Sequence, residues 1–262
     1  MKSTSAILEG GLMIHVALAA GLFAQISNSR PPNEEARREQ VMQWSVTADP
    51  AACHGLERAL TDPAADIRVR AATALYGRCD REASARRAAP AICRSLEMGN
   101  ASAGAILLLG YAPREQAEPC LTRPFPKGSA VKGVTSSRPV RSEFAAIVPL
   151  AKLGNEKALA ALRAAFDKPT VAEGLFLLSV LHEVNDAEAL RASVGLLRDE
   201  RTVPSARADA TRKMRDAAVD ALADRLGLKL SFQPQTGQRF TPAEVTEVNA
   251  AALAAIAQGA KK

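Results

Sequence analysis

The sequence predicts an all-α protein with no β-sheet, on three observations. Alanine is heavily used and leucine is common, while aromatic residues make up only 4% and β-branched runs are scarce, a balance that favours helices packed through small side chains. Apolar residues recur at helical spacing, as in LTDPAADIRVRAATAL from Leu60 to Leu75, where Ile67, Ala71, Ala74 and Leu75 share one face. Segments of the chain also repeat one another at separations that suit stacked helical hairpins. The 262 residues suffice for one or two compact domains or for one elongated array.

The amino terminus is a separate case. GGLMIHVALAAGLFA, from Gly10 to Ala24, is apolar apart from His15 and has the length of a signal-peptide core. Ser27 and Ser29 fit a cleavage before Arg30, with Ala24 as a second position, whereas Glu9 spoils a positive leader. Residues 1–29 are therefore read as a signal peptide or an N-terminal anchor. As an anchor they would use residues 10–26, which are short for a membrane span. A buried first helix is the third reading. Either of the first two places the protein in the periplasm or cell envelope. NSRPPNEEARRE, from Asn28 to Glu39, then reads as a polar linker entering a helix near Pro32. Trp44, the only tryptophan, is expected to seal the open end of the core.

In Leu60–Leu75, Asp62 and Pro63 end one helix and Asp66 is expected to cap the next. An offset of 40 aligns Pro50-Ala51-Ala52-Cys53 with Pro90-Ala91-Ile92-Cys93, each proline suiting the first turn of a helix. An offset of 31 aligns Ala158-Leu159 with Ala189-Leu190, and one of 147 brings Ile67, Arg68, Ala71, Ala74 and Leu75 onto Met214, Arg215, Ala218, Ala221 and Leu222. Ala101–Leu109, Phe144–Leu153 and Val171–Val184 supply further apolar helices, each preceded by a turn. Roughly five helical hairpins result. Near the end, Thr241-Pro242-Ala243-Glu244 is a capping box opening a helix to about Gln258, whose Val245, Val248, Ala252 and Ile256 should close the stack over Phe232 or Phe240.

LTDPAADIRVRAATAL and KMRDAAVDALADRLG resemble HEAT repeats of the bacterial HEAT-like type, L-x-D-x3-VR-x2-A-x2-AL, with Leu60, Asp62, Ile67, Arg68, Ala71, Ala74 and Leu75 in order. The resemblance implies a right-handed α-solenoid, an armadillo-like superhelix of stacked hairpins over residues 30–262, and a role in protein contact. It implies no catalytic residues. Arg68 and its counterpart Arg215 are read as stacking residues that bond turn carboxylates of adjacent repeats.

Two segments break the period. Residues 121–141 contain Arg123, Lys127, Lys132, Arg138 and Arg141 and no acid, and read as a long loop dividing front and rear halves. It is either a cationic docking loop or an insert that touches nothing specific. Asp199–Lys213 reads as a solvated turn.

The four cysteines permit two disulfides behind an export signal. Cys53 near the start of one helix and Cys79 at the end of its antiparallel partner lie at the same end of a hairpin, so Cys53–Cys79 and Cys93–Cys120 are favoured. Cys53–Cys93, joining equivalent repeat positions, and four buried thiols are the alternatives. Little else carries chemistry. Cys53 and His54 are adjacent on a helix and point about 100° apart, so they cannot share a site. His182 reads as a core-edge or surface residue at a helix end, and Asp216 and Asp220 as surface ion pairs with Arg212 and Arg215. Gly-rich phosphate loops, GxSxG, HExxH and paired CxxC motifs do not occur. We therefore expect neither enzyme activity nor a cofactor or metal.

Lys and Arg number 34 against 28 acids, a net charge of +6 with the arginines interspersed among acids, so no nucleic-acid partner is expected. The expected function is a monomeric module that binds a protein or peptide partner. The alternative is a membrane-tethered scaffold whose 121–141 loop meets anionic lipid or an acidic partner, with membrane involvement only if the N-terminal segment is retained.

Overall fold

The computed structural model describes residues 33–47, 49–99, 102–132, 139–203 and 211–259. The proposed signal or anchor therefore lies outside the described residues, as do Asn100, Ala101 and Arg138. Contacts divide the chain into residues 1–40 and 41–262. The elements described below belong to the second unit, apart from the first turns of α1 (Glu34–Trp44). No described helix is long and apolar enough to cross a membrane.

The described chain is mostly helical. After α1 come α2 (Pro50–Ala59), α3 (Ala65–Arg78), α4 (Arg81–Glu97), α5 (Ala103–Leu108), α6 (Arg114–Leu121), α7 (Ser142–Lys152), α8 (Glu156–Ala165), α9 (Val171–Ser179), α10 (Ala187–Ser193), α11 (Met214–Leu226) and α12 (Pro242–Ala257). Short 3₁₀ turns extend α5, α9 and α10 at Leu109–Tyr111, Leu181–Glu183 and Val194–Arg198.

The predicted absence of β-structure is wrong in detail. Strands β1 (Ala130–Lys132) and β2 (Pro139–Arg141) pair antiparallel, with Val131 opposite Val140, as do β3 (Thr202–Val203) and β4 (Arg212–Lys213). Both lie in the two segments that break the repeat period. Their inward valines, Val131, Val140 and Val203, are buried, so the ends of these insertions are fixed by apolar packing rather than left as solvated loops. Isolated pairs this short are marginal on their own, and the helices beneath supply their stability.

Helices pack on their next-but-one neighbours. α3 lies on α5, α5 on α7 and α9 on α11, while α2 lies on α4, α4 on α6 and α8 on α10. Small residues set the spacing. A Cβ on Gly104 would come within 3.1 Å of the Thr73 backbone, so any larger residue there would push α5 away from α3 by a few tenths of an ångström. Ile67, Ala71, Ala74 and Leu75 are all buried, as their spacing predicts.

Several caps follow expectation. Asp49 accepts the Ala51 and Ala52 N–H groups ahead of Pro50, and Thr241 with Glu244 forms a full capping box. Val248, Ala252 and Ile256 are buried, and Phe232 packs on the buried Phe240 with ring centroids 5.7 Å apart. Trp44 lies flat against Gly55, where a Cβ would meet the indole at 2.7 Å.

Two local readings need correction. Asp66 does not cap α3: it sits in the first turn behind Ala64, and Asp62 instead accepts the Ala64 N–H at 2.9 Å. Pro90 is inside α4 rather than in its first turn, because Asp80 caps that helix ten residues earlier by accepting the Ala83 N–H. Pro90 faces solvent, where one missing backbone bond is tolerated.

Candidate functional site

Both tyrosines of the chain converge on one carboxylate. Glu183 ends the 3₁₀ turn after α9, and its side chain is 3% exposed. Tyr76 Oη donates to its Oε1 at 2.6 Å, and Tyr111 Oη donates to it at 2.7 Å. Arg81 Nη1 donates to Oε1 at 2.8 Å and Lys152 Nζ to Oε2 at 2.6 Å. His182 Nε2 lies 3.0 Å from Oε1 and 2.9 Å from Tyr76 Oη. Since Tyr76 gives its only proton to Glu183, the imidazole proton belongs on Nε2.

Helix ends assemble this cluster. Tyr76 is in the last turn of α3, Tyr111 in the turn after α5, Lys152 at the end of α7 and His182 and Glu183 in the turn after α9, while Arg81 opens α4. The cations thus meet helix C-termini, where unsatisfied carbonyls carry partial negative charge. Arg81 is held on several sides. Its Nε donates to the Tyr76 carbonyl at 2.8 Å, its Nη1 also bonds Tyr111 Oη, and the guanidinium lies 4.6 Å from the Tyr76 ring centroid.

The electrostatics fix charge states. Burial pushes the Glu183 carboxyl up, but hydrogen bonds from His182, Lys152, Tyr76 and Tyr111 outweigh it and hold the group far below the usual carboxylate range. Burial, then the bond to ionised Glu183, pushes the Tyr76 phenol well above its ordinary value. Burial disfavours the charged Arg81, and Tyr111 and Glu183 more than compensate, raising its pKa. Glu183 stays ionised and Tyr76 protonated near neutrality, which suits a fixed framework rather than proton transfer.

The framework borders a groove of about 1170 Å³ along the outer face of α3. Val69, Thr73, Ala74 and Gly77 form its floor with Val131 of β1, and Tyr76, Arg81 and His182 form one end. Asp66, Arg70 and Arg78 also line it. Clefts beside Glu82, Arg86 and Tyr111, and beside Asp62, Arg68 and Met98, are smaller, about 570 and 660 Å³. Among the described residues no group of His, Cys, Asp and Glu is placed to hold a metal ion.

No protein-family model, curated protein or solved structure matches this chain. The groove and the cluster must therefore be read from their own chemistry.

The residues singled out in the sequence fall in several places. Both favoured disulfides form: Cys53–Cys79 and Cys93–Cys120, with Cα separations of 6.0 and 5.5 Å. Two disulfides fit an oxidising environment. Arg68 does not reach a neighbouring repeat. Its Nη1 donates to the Asp62 and Pro63 carbonyls at 2.6 and 2.7 Å, so it braces its own turn. Arg215 pairs with Glu200 from the preceding insertion. Asp216 and Asp220 are not surface residues: Asp216 is buried and accepts the Lys213 and Phe240 N–H groups, and Asp220 pairs with the half-buried Arg212. Of the 121–141 cations, Arg123 pairs with Glu97, Arg141 lies 3.9 Å from Glu173, and Lys127 is exposed. Lys132 contributes its backbone to β1.

The cluster itself is not evident from motifs. His182 is the one member with a reading from sequence, a core-edge or surface residue at a helix end, and it is exposed there at the edge of the cluster. The available signal was the placement of the only two tyrosines at the ends of helical segments, in ALYGR and LLGYA.

Proposed function

We propose that this chain is a non-enzymatic, exported helical-repeat module that binds a protein or peptide segment in the groove over α3. The next-but-one packing of helices supports reading the hairpins as a right-handed α-solenoid of HEAT type. In such an array one helix of each hairpin offers its free face to a partner. The observation that carries the reading is the groove: an apolar floor along one helix, with polar groups gathered at its end and rim, is the form of a recognition site. The two disulfides support placing the module in the periplasm or envelope.

Selection from a random peptide library displayed on phage tests this. The wild-type chain should enrich peptides that the Gly77→Leu variant fails to bind. A Cβ at Gly77 meets nothing within 4 Å, so leucine there fills the groove without disturbing the helix. Absence of enrichment, or binding indifferent to Gly77→Leu, would contradict the proposal.

A further inference from the structure

We infer that the groove over α3 selects an extended peptide segment of about six residues bearing a carboxylate, which docks on Arg81 and Arg78 beside His182. This rests on the groove being the binding surface, and it specifies the chemistry of the ligand.

The length comes from the helix. The 14 residues of α3 rise about 20 Å at 1.5 Å each, which an extended chain covers in about six residues at 3.3 Å. The character comes from the floor and rim. Val69 is exposed at 38% in a protein that otherwise buries most large apolar residues, and with Ala74, Gly77 and Val131 it offers a shallow apolar track. Along an extended peptide alternate side chains face that track, and the others face the rim.

The rim sets the charge. Among the described residues Arg70, Arg78 and Arg81 line the groove beside one carboxylate, Asp66, which has an interaction of its own. Arg70 and Arg78 are exposed and have no hydrogen-bond or ion-pair partner among the described residues. Arg58, Arg86, Arg94, Arg191 and Arg198 are likewise exposed with no such partner among the described residues, so what distinguishes Arg70 and Arg78 is that both line the groove beside Arg81.

Arg81 supplies the fixed element. Nε and Nη1 are committed to the Tyr76 carbonyl, Tyr111 and Glu183, which leaves Nη2 without a partner among the described residues. A guanidinium already immobilised loses little side-chain entropy when its remaining donors meet a carboxylate, which favours affinity. Glu183 is thus a positioning residue. It is 3% exposed and fully engaged, so it holds Arg81 without occupying the ligand's place.

The experiment is fluorescence anisotropy on the full oxidised chain with two labelled peptides, Val-Glu-Val-Glu-Val-Glu and its Val-Gln-Val-Gln-Val-Gln counterpart, both C-terminally amidated. The acidic peptide should bind at least tenfold more tightly. Arg70→Ala should reduce that preference severalfold without lowering thermal stability, Arg78→Ala should do so with at most a small loss from the last turn of α3, and Arg81→Met should abolish it. Gly77→Leu should remove binding of both peptides. Equal affinity for the two peptides, lost in Gly77→Leu, would overturn the carboxylate inference while leaving the groove as the binding surface. Acid preference that persists in Gly77→Leu and in Arg78→Ala would place binding elsewhere and overturn both. Association with phosphatidylglycerol vesicles that depends on Arg70 and Arg78, with no peptide binding, would overturn the inference in favour of a lipid surface.

Discussion

Helices α3 and α11 carry Arg68, Ala71, Ala74 and Leu75 opposite Arg215, Ala218, Ala221 and Leu222 at an offset of 147, and they differ in what lies over their second face. Their first faces match: Ile67, Ala71 and Leu75 on α3, and Met214, Ala218 and Leu222 on α11, are each at most 1% exposed. The second faces diverge. At the offset of 147, Val69 corresponds to Asp216, and their exposures are 38% and 1%. The chain after α11 folds back across that face, with Phe240 N–H donating to Asp216 at 3.2 Å and Arg212 Nε donating to the Gln238 carbonyl at 3.0 Å. No described segment lies across α3 in the same way. A covered face contributes apolar burial to stability, at about 25 cal/mol per Å². An open one forgoes that burial and leaves a surface for a ligand. Cys79, which ends α3, ties that helix to α2, whereas α11 has no cysteine and depends on its cover.

Each helix can be perturbed on its own. Phe240→Ala strips the cover from α11 and should destabilise the chain by about 4 kcal/mol in urea titration. A loss under about 1 kcal/mol would show that the cover is dispensable. Replacing Cys53 and Cys79 by serine removes the tie on α3. At a sequence separation of 26 the loop-entropy cost is about 3.5 kcal/mol, and unchanged stability in oxidised and reduced samples would dismiss that role.

Glu183→Gln should lower stability by about 2–3 kcal/mol at pH 7, because Lys152 and Arg81 lose their shared counterion. Its pH dependence sharpens the test. The folded-state pKa is depressed, so the contribution is fully present above the unfolded carboxyl value of about 4.3 and is lost as pH falls below it. Wild type should therefore lose more stability than Glu183→Gln between pH 5 and pH 3, and parallel curves would contradict the assignment. Smallest is Gly77→Ala, which should stabilise by about 0.5 kcal/mol, since the added methyl meets nothing and glycine is a poor helix former. A loss of thermal stability would mean that the groove wall is closer than it looks.

Periodicity made the helices legible. Ile67, Ala71 and Leu75 recur at helical spacing, and their burial follows from that spacing alone. Local chemistry likewise foretold the caps at Asp49 and Thr241, where a side-chain oxygen meets nearby backbone donors. The disulfides were legible because the antiparallel hairpin puts Cys53 and Cys79 at one end. What failed required longer range. β1 and β2 pair across an insertion whose composition reads as loop, and only the burial of Val131 and Val140 fixes them. Asp216 looks like a surface acid until Phe240, 24 residues later, donates to it. Most of all, Tyr76 and Glu183 are 107 residues apart, so no local pattern announces their meeting. It arises because α3, α5, α7 and α9 each deliver a residue from the same kind of position, the helix C-terminus.

The second face of α3 is open, whereas that of α11 is covered by the chain that follows it. Hydrogen–deuterium exchange of the full oxidised chain, with and without saturating Val-Glu-Val-Glu-Val-Glu peptide, tests that difference directly. Protection is expected only over Ala65–Arg81 and the turn at His182, with α11 and α12 unchanged; protection over α11 or α12, or none along α3, would contradict an open groove on α3.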